Sequence, residues 1–444
     1  MSSRLPIDGF VHPDYVPVAQ TLRCLLGQYP GGAAVCVYQH GVCVVDLWGG
    51  YRDSFGSPWQ RDTMSPSFST TKGVASTVLH VLADRGLVDY DRRVADYWPE
   101  FGQSGKERIT VRHVLAHQSG LHHIRRMVDR AERMLDWEYM IGAIECAAPA
   151  YEPGTRTGYH GLTYGYLVGE IVQRVTGRRF SDLVRELIAG PLQLDGMYIG
   201  TPVDQLHRAA KLIWPDEGFF AWSGLARLRW NGREAPELLA WPAWVIQGLL
   251  DLFGLRLDLA SIADALMPRG ISHFDFGAAE TLSVAIPAAN GLFTARSLAR
   301  MYAALAGGGA IDGVRLLSPE TLARATELQS PAPGRVVIPF DMRWRLGYHG
   351  VLTARGVPRR AFGHFGFGGS GAWADPRREL AVALIVNSGL GTPFGDMRIV
   401  RIGGAALACA DGRRQATLAL PALAVAASAM EPSSSGAHAG QVRR

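Results

Sequence analysis

The alternation of apolar and polar positions divides this chain into strands near its two ends and helices between them. Ala33 to Tyr38 is a run of small, β-branched and aromatic residues, broken by Gln39-His40-Gly41 and resumed from Val42 to Trp48 before Gly49-Gly50. Two such runs around a glycine-containing turn predict a β-hairpin. Far downstream, Gly371 to Asp375 is followed by Leu380 to Val386, an almost unbroken apolar segment suited to a buried strand. Helical periodicity fills the middle. Val74, Val78, Val81 and Leu82 recur at i, i+4, i+7 and i+8, and Gly86 closes the pattern. Leu167, Val168, Ile171, Val172 and Val175 form a second stripe stopped by Gly177; Leu298 to Leu305 forms a third, followed by Gly307-Gly308-Gly309. Strands at both ends with helices between predict an α+β fold: one sheet assembled from both termini, with a helical lobe inserted into it.

Two regions depart from this pattern. Residues 203–280 hold Trp214, Trp222, Trp230, Trp241 and Trp244, with Phe219, Phe220 and Phe253, and read either as extra core helices or as a lid over a pocket. Residues 411–444 are rich in Ala, Ser and Gly and are expected to be disordered.

Composition narrows the functional classes. With 48% hydrophobic and 19% charged residues in 444, the chain can bury a large core. The net charge of +5 comes from 45 basic against 40 acidic residues with no long basic run, which argues against nucleic acid as a partner. No apolar run approaches the ~20 residues of a membrane span. The first residues show no secretory signal, so a cytoplasmic location is expected. Five cysteines without a CxxC pair suit neither a disulfide framework nor a zinc site and read as reduced, buried thiols. Only Lys72, Lys106 and Lys211 are lysines; every other basic residue is arginine.

That scarcity draws attention to Ser67-Phe68-Ser69-Thr70-Thr71-Lys72-Gly73. Ser69 stands at the expected start of the helix carrying Val74, and Lys72, three residues on, shares its face. Unpaired N–H groups at a helix start would stabilise an alkoxide on Ser69. Lys72, unlike arginine, can lose its proton and accept one from the hydroxyl. The alternative is a serine that merely caps the helix. Lys106, in a polar stretch, shows that lysines also persist without a chemical reason. A second feature is Glu152 to Gly161, where Pro153-Gly154 turns the chain before Tyr159. Next to a lysine ammonium a tyrosine has its phenolate favoured and can act as a general base; the alternative is a structural tyrosine. His160 reads as packing or surface. The third is Phe362-Gly363-His364-Phe365-Gly366-Phe367-Gly368-Gly369-Ser370-Gly371, whose glycines allow backbone N–H groups close to a ligand. One of them, with the Ser69 N–H, could form an oxyanion hole; a bulged hairpin is the plain alternative. His113 and His117 stand at i, i+4 without an acidic third ligand, and His122-His123 lack support, so no metal is expected. No Gly-x-Ser-x-Gly elbow, P-loop or GxGxxG-plus-acid pattern occurs.

In order and spacing these features resemble the serine β-lactamase and penicillin-binding-protein superfamily, in its class C-like branch and most of all the family VIII carboxylesterases. Thr110 to Leu121, Pro153-Gly154, Tyr164-Gly165-Tyr166 and Pro287-Ala288-Ala289-Asn290-Gly291 extend the resemblance from about residue 33 to 388. It implies a mixed α/β domain from about 1–90 and 285–410, with an antiparallel sheet. A helical domain from about 91–284 is implied beside it, with the Trp-rich insert inside the latter. It implies Ser69 as the acylated nucleophile, Lys72 and Tyr159 as its proton acceptors, and Phe367 as the second oxyanion N–H. His364 and Gly366 fall on the substrate-binding Lys-Thr-Gly motif, with histidine replacing lysine, while Gly161 replaces an asparagine that recognises amides. A serine carboxylesterase acting on neutral esters with short to medium acyl chains, without a cofactor, is therefore expected. The rivals are a β-lactamase or D-amino-acid peptidase, an acyltransferase, and a catalytically dead ligand sensor.

Overall fold

The N-terminal hairpin forms as Gly32–Gln39 and Val42–Gly50 around a two-residue turn, His40-Gly41. Both turn residues have positive φ, 49° and 75°, the left-handed pair that matches the twist of the flanking strands. The computed structural model describes residues 6–213, 258–329, 334–389, 396–413 and 423–424. In chain order the strands of its main sheet are Ile7–Val11 (β1), Gly32–Gln39 (β2), Val42–Gly50 (β3), His349–Gly350 (β4), Phe362–Phe365 (β5), Gly371–Asp375 (β6), Leu380–Val386 (β7) and Leu423–Ala424 (β8). Their spatial order is β4-β5-β6-β7-β2-β3-β1-β8, and every pairing is antiparallel. The two chain ends meet where β7 pairs β2, from Leu380 opposite Gln39 to Val386 opposite Ala33.

The five longest helices among the described residues are Val16–Leu26 (α1), Thr70–Asp84 (α2), Thr163–Thr176 (α3), Ala295–Ala306 (α4) and Arg398–Gly412 (α5). Both faces of the sheet are covered, which is why Leu380–Val386 lacks polar alternation. Val35, Val37, Trp373, Val382, Leu384 and Val386 pack beneath α1 and α5. The alternate residues Ala372, Ala374, Ala381 and Ala383 face α4. Small side chains on that face let an alanine-rich helix lie close to the strands.

Helix α2 runs between sheet and helical lobe, packed on β5 and α3. The apolar periodicity predicts one buried stripe, but every residue from Thr70 to Leu82 is buried. Polar groups at that depth must be paired internally. Ser76 Oγ donates to the Lys72 carbonyl at 2.6 Å, Thr77 Oγ1 to the Gly73 carbonyl at 2.7 Å, and His80 bridges the Tyr90 hydroxyl and the Leu346 carbonyl.

The five tryptophans of the 203–280 segment lie outside the described residues, as do Phe219, Phe220 and Phe253. Its described end contributes a helix, Leu259–Leu266, that reaches the site. Most of the tail also lies outside, but two readings of it change: α5 continues to Gly412, and Leu423–Ala424 adds a strand to the sheet beside β1. All five cysteines are free, yet only Cys36 and Cys409 are buried; Cys24 and Cys146 are exposed. Among the described residues no helix is long and apolar enough to cross a membrane.

The close approach of α4 is testable. Ala383→Leu should destabilise the fold by about 1–3 kcal/mol through overpacking, measured by urea unfolding. A variant as stable as the parent would show that these alanines do not set the helix–sheet distance.

Candidate active site

Ser69 precedes α2 and already has helical angles, φ −63° and ψ −11°. Its side chain makes no capping bond, which removes the structural alternative. Phe68 before it is held at φ 44°, a left-handed conformation that costs a bulky residue energy and is kept only where surroundings enforce it. They do so here: the Ser67 N–H donates to the Gly291 carbonyl at 2.9 Å, and the Phe68 ring packs edge-on against Phe367 at 5.8 Å. The Ser69 side chain is thus free for chemistry. Its backbone N–H has no hydrogen-bond partner among the described residues.

Lys72 is fully buried. Its Nζ donates to the Gly161 carbonyl at 2.7 Å and the Ala288 carbonyl at 2.9 Å, and lies 3.0 Å from Ser69 Oγ. Burial pushes its pKa well below the ordinary lysine value. A neutral amine with both N–H groups taken by carbonyls turns its lone pair to the third neighbour, the Ser69 hydroxyl.

The Tyr159 hydroxyl donates to Ser69 Oγ at 2.7 Å. Burial raises the phenol's pKa, which opposes the phenolate that a neighbouring ammonium would favour, and Lys72 Nζ sits 5.1 Å from the ring centroid. At rest Tyr159 is a hydrogen-bond donor. Its ring stacks on Trp344 at 5.8 Å and 14°. Beside it opens a cleft lined by Gln118, Thr157, Val336, Ile338, Phe340 and Trp344.

His364 faces α2, its Cβ near Gly73. Burial, with His349 and Lys72 nearby, lowers its pKa well below the usual value. Its Nδ1 is bonded to the Phe365 carbonyl at 3.0 Å, so the proton sits there and Nε2 is an acceptor. In this arrangement the imidazole has no free N–H to offer a carboxylate. Gly366 lies against α2, where a Cβ would meet the Ser67 carbonyl at 2.3 Å; its own N–H donates to Ser370. Phe367 follows in the same turn.

Gly161 has a physical reason to lack a side chain. A Cβ there would stand 2.2 Å from Leu266 Cδ2 and 2.8 Å from the Ala265 carbonyl. The helix Leu259–Leu266 fills the space an asparagine would need. His160 is buried and bonded, not a surface residue: its Nε2 is 2.6 Å from Ser119 Oγ. His113 forms a capping box with Thr110, and His117 turns away from it toward His160.

Sequence reasoning overlooked the groups that hold Lys72. The Asn290 side chain accepts from the Ile286 N–H and donates to the Thr281 and Val284 carbonyls, fixing the loop that presents Ala288. Gly165 lets that loop approach, since a Cβ there would meet Ala288 N at 2.4 Å. The run Pro287 to Gly291 was visible as part of the resemblance, but no local pattern tied it to Lys72.

A helical lobe set on an antiparallel sheet, with serine, lysine and tyrosine joined at their interface, defines a hydrolase of the β-lactamase fold. The chain belongs to the β-lactamase family, whose model matches residues 18–407. It is 37% identical over 388 residues to the esterase/beta-lactamase LipL of Mycobacterium tuberculosis (strain ATCC 25618 / H37Rv), covering 85% of this chain and 82% of the relative. Among solved structures it is similar to a penicillin-binding-protein homologue from Caulobacter crescentus, with 34% identity and a TM-score of 0.74 over 91% of this chain and all of that one. It is also similar to a family VIII carboxylesterase, with 32% identity and a TM-score of 0.70 over 91% of this chain and 100% of that one.

Steric exclusion at Gly161 predicts coupling. Gly161→Asn should destabilise the protein by about 1–3 kcal/mol, and by clearly less when Leu266→Ala vacates the space. Thermal melts of the two single variants and the pair decide it; an unchanged cost in the Leu266→Ala background would mean that Leu266 does not occupy that position.

Proposed function

We propose that this protein is a serine carboxylesterase hydrolysing small carboxylic esters through an acyl-enzyme on Ser69. The observation that carries the reading is the Ser69 hydroxyl itself, which caps nothing and lies 3.0 Å from a buried lysine amine and 2.7 Å from a partly buried phenol. Neutral Lys72 takes the Ser69 proton as Oγ attacks the ester carbonyl. The N–H groups of Ser69 and Phe367 hold the oxyanion. Collapse expels the alkoxide, which takes the Tyr159 proton, leaving tyrosinate beside the Lys72 ammonium. In the second half, water gives a proton to the tyrosinate and attacks the acyl carbon, and Lys72 returns its proton to the departing Ser69 Oγ. Tyr159 is thus acid in one half and base in the other.

Gly161 and His364 favour esters over amides. The first offers no side chain to an amide. The second is uncharged, with its one N–H already used. β-Lactam hydrolysis is the second reading, supported by the name of the relative that is 37% identical.

Ser69→Ala should abolish p-nitrophenyl butyrate hydrolysis in a folded protein, and mass spectrometry should find the acyl adduct on Ser69 of the parent. Nitrocefin turnover equal to or above ester turnover would instead establish the lactamase reading. Lys72→Arg should be nearly as damaging as Lys72→Ala, losing about 10³-fold or more in kcat, because arginine cannot give up its proton. In the parent, kcat/KM should fall as pH drops through a midpoint well below the ordinary lysine value, since protonation removes the base. Near-parental kcat in Lys72→Arg would take Lys72 off the proton path.

A further inference from the structure

Tyr159 has only its hydroxyl to reach Ser69, so something must fix the backbone that carries it. The residues on either side are held by one amino acid. The Gly158 N–H donates to the His117 carbonyl at 2.9 Å. The His160 N–H donates to His117 Nδ1 at 3.2 Å. One residue, through its main chain and its ring, therefore holds the N–H groups of both residues that flank Tyr159, while the Tyr159 N–H itself donates to the Val336 carbonyl at 3.4 Å.

The rest of the environment fixes His117 in turn. Its Nδ1 accepts from a backbone N–H, which assigns the ring proton to Nε2. His160 Nδ1 lies 3.3 Å from the same nitrogen and shares its single lone pair, and His160 Nε2 meets Ser119 Oγ at 2.6 Å; the buried His117 Nε2–H has no hydrogen-bond partner among the described residues. The imidazole packs against the rings of Trp344 at 4.3 Å, Tyr164 at 4.9 Å and Tyr159 itself at 5.0 Å. The backbone is held at φ 59°, a left-handed value that brings carbonyl and ring to bear on the same strand. Few residues other than glycine adopt it readily; asparagine, aspartate and histidine are the exceptions. His117 and His160 are fully buried, and the proposed proton transfers use neither.

We propose that His117 is a positioning residue that sets the Tyr159 hydroxyl on Ser69 Oγ by clamping the peptide N–H groups on both sides of the tyrosine. It exchanges no proton with substrate. The proposal rests on the esterase reading only for its kinetic consequence; the placement of Tyr159 can be observed without any substrate.

Two substitutions tolerate the backbone angle and separate the roles. His117→Asn keeps a side-chain acceptor; His117→Gly removes it. With p-nitrophenyl butyrate, His117→Gly should lose about 10²-fold in kcat, the scale of a misplacement of about 1 Å, with KM changed less than about threefold. His117→Asn should recover most of that loss. In a Tyr159→Phe background, where there is no hydroxyl to place, His117→Gly should cost less than about twofold. An equal cost in both backgrounds, or an asparagine variant no better than glycine, would overturn the proposal. Should the glycine variant not fold, His117→Phe, which keeps a ring against Trp344 but has no acceptor, carries the same cycle; its backbone strain at φ 59° is common to both Tyr159 backgrounds and cancels in the comparison. Crystal structures of the parent and the variant give the independent readout. The Tyr159 hydroxyl should stand within hydrogen-bond reach of Ser69 Oγ in the parent and beyond it in the variant. An unmoved hydroxyl overturns the positioning role even if the protein proves to hydrolyse something other than esters, and a parent inactive on esters defeats the functional reading while leaving this test intact.

Discussion

A lysine amine without water must be given acceptors, and most of the site follows from that requirement. Lys72 takes them from two distant parts of the chain, the Gly161 and Ala288 carbonyls, and turns its lone pair to Ser69 at the start of its own helix. Each approach demands something of its neighbours. Gly165 makes room for the Ala288 loop, Asn290 fixes that loop, and Gly161 is pressed against the Leu259–Leu266 helix. Burial then lowers the affinity of the amine for its proton. The same packing that organises the lobes thus sets the chemistry of the base.

How far the sequence discloses this depends on the range of the interactions. The hairpin, the Leu380–Val386 strand and the starts and stops of the long helices are local patterns and were legible. So was the Ser69–Lys72 spacing, because both lie on one turn of one helix. The protonation of Tyr159 was not, since it depends on burial by segments far away in sequence. Lys106 was misread for the same reason. In a polar stretch it looked incidental, yet it is fully buried and its amine donates to the Glu145 and Ala147 carbonyls at 2.8 and 2.6 Å. The lysines that an arginine-rich chain has kept at positions 72 and 106 are thus both compact donors to backbone carbonyls, where a planar guanidinium fork would not fit.

On the esterase reading, selectivity at this site would come from occupation as much as from recognition. Where related enzymes carry an amide-recognising side chain, a leucine from the following segment fills the volume. Where they carry a charged lysine, a neutral imidazole spends its only N–H on a neighbouring carbonyl. Neither change needs a new contact to substrate; both withdraw one.

The pairing of β2 with β7 also has a consequence in time. On the ribosome, Gly32–Gln39 emerges about 340 residues before Leu380–Val386, its partner across the sheet. At about 5–20 residues per second, that interval lasts roughly 20 to 70 seconds. Throughout it the nascent hairpin carries an open edge, a ready template for pairing with another chain. One of its two strands begins with glycine and alanine and the other ends in paired glycines, and such weak ends make a poor template for growth. The mature enzyme closes that edge only with one of the last strands to be made.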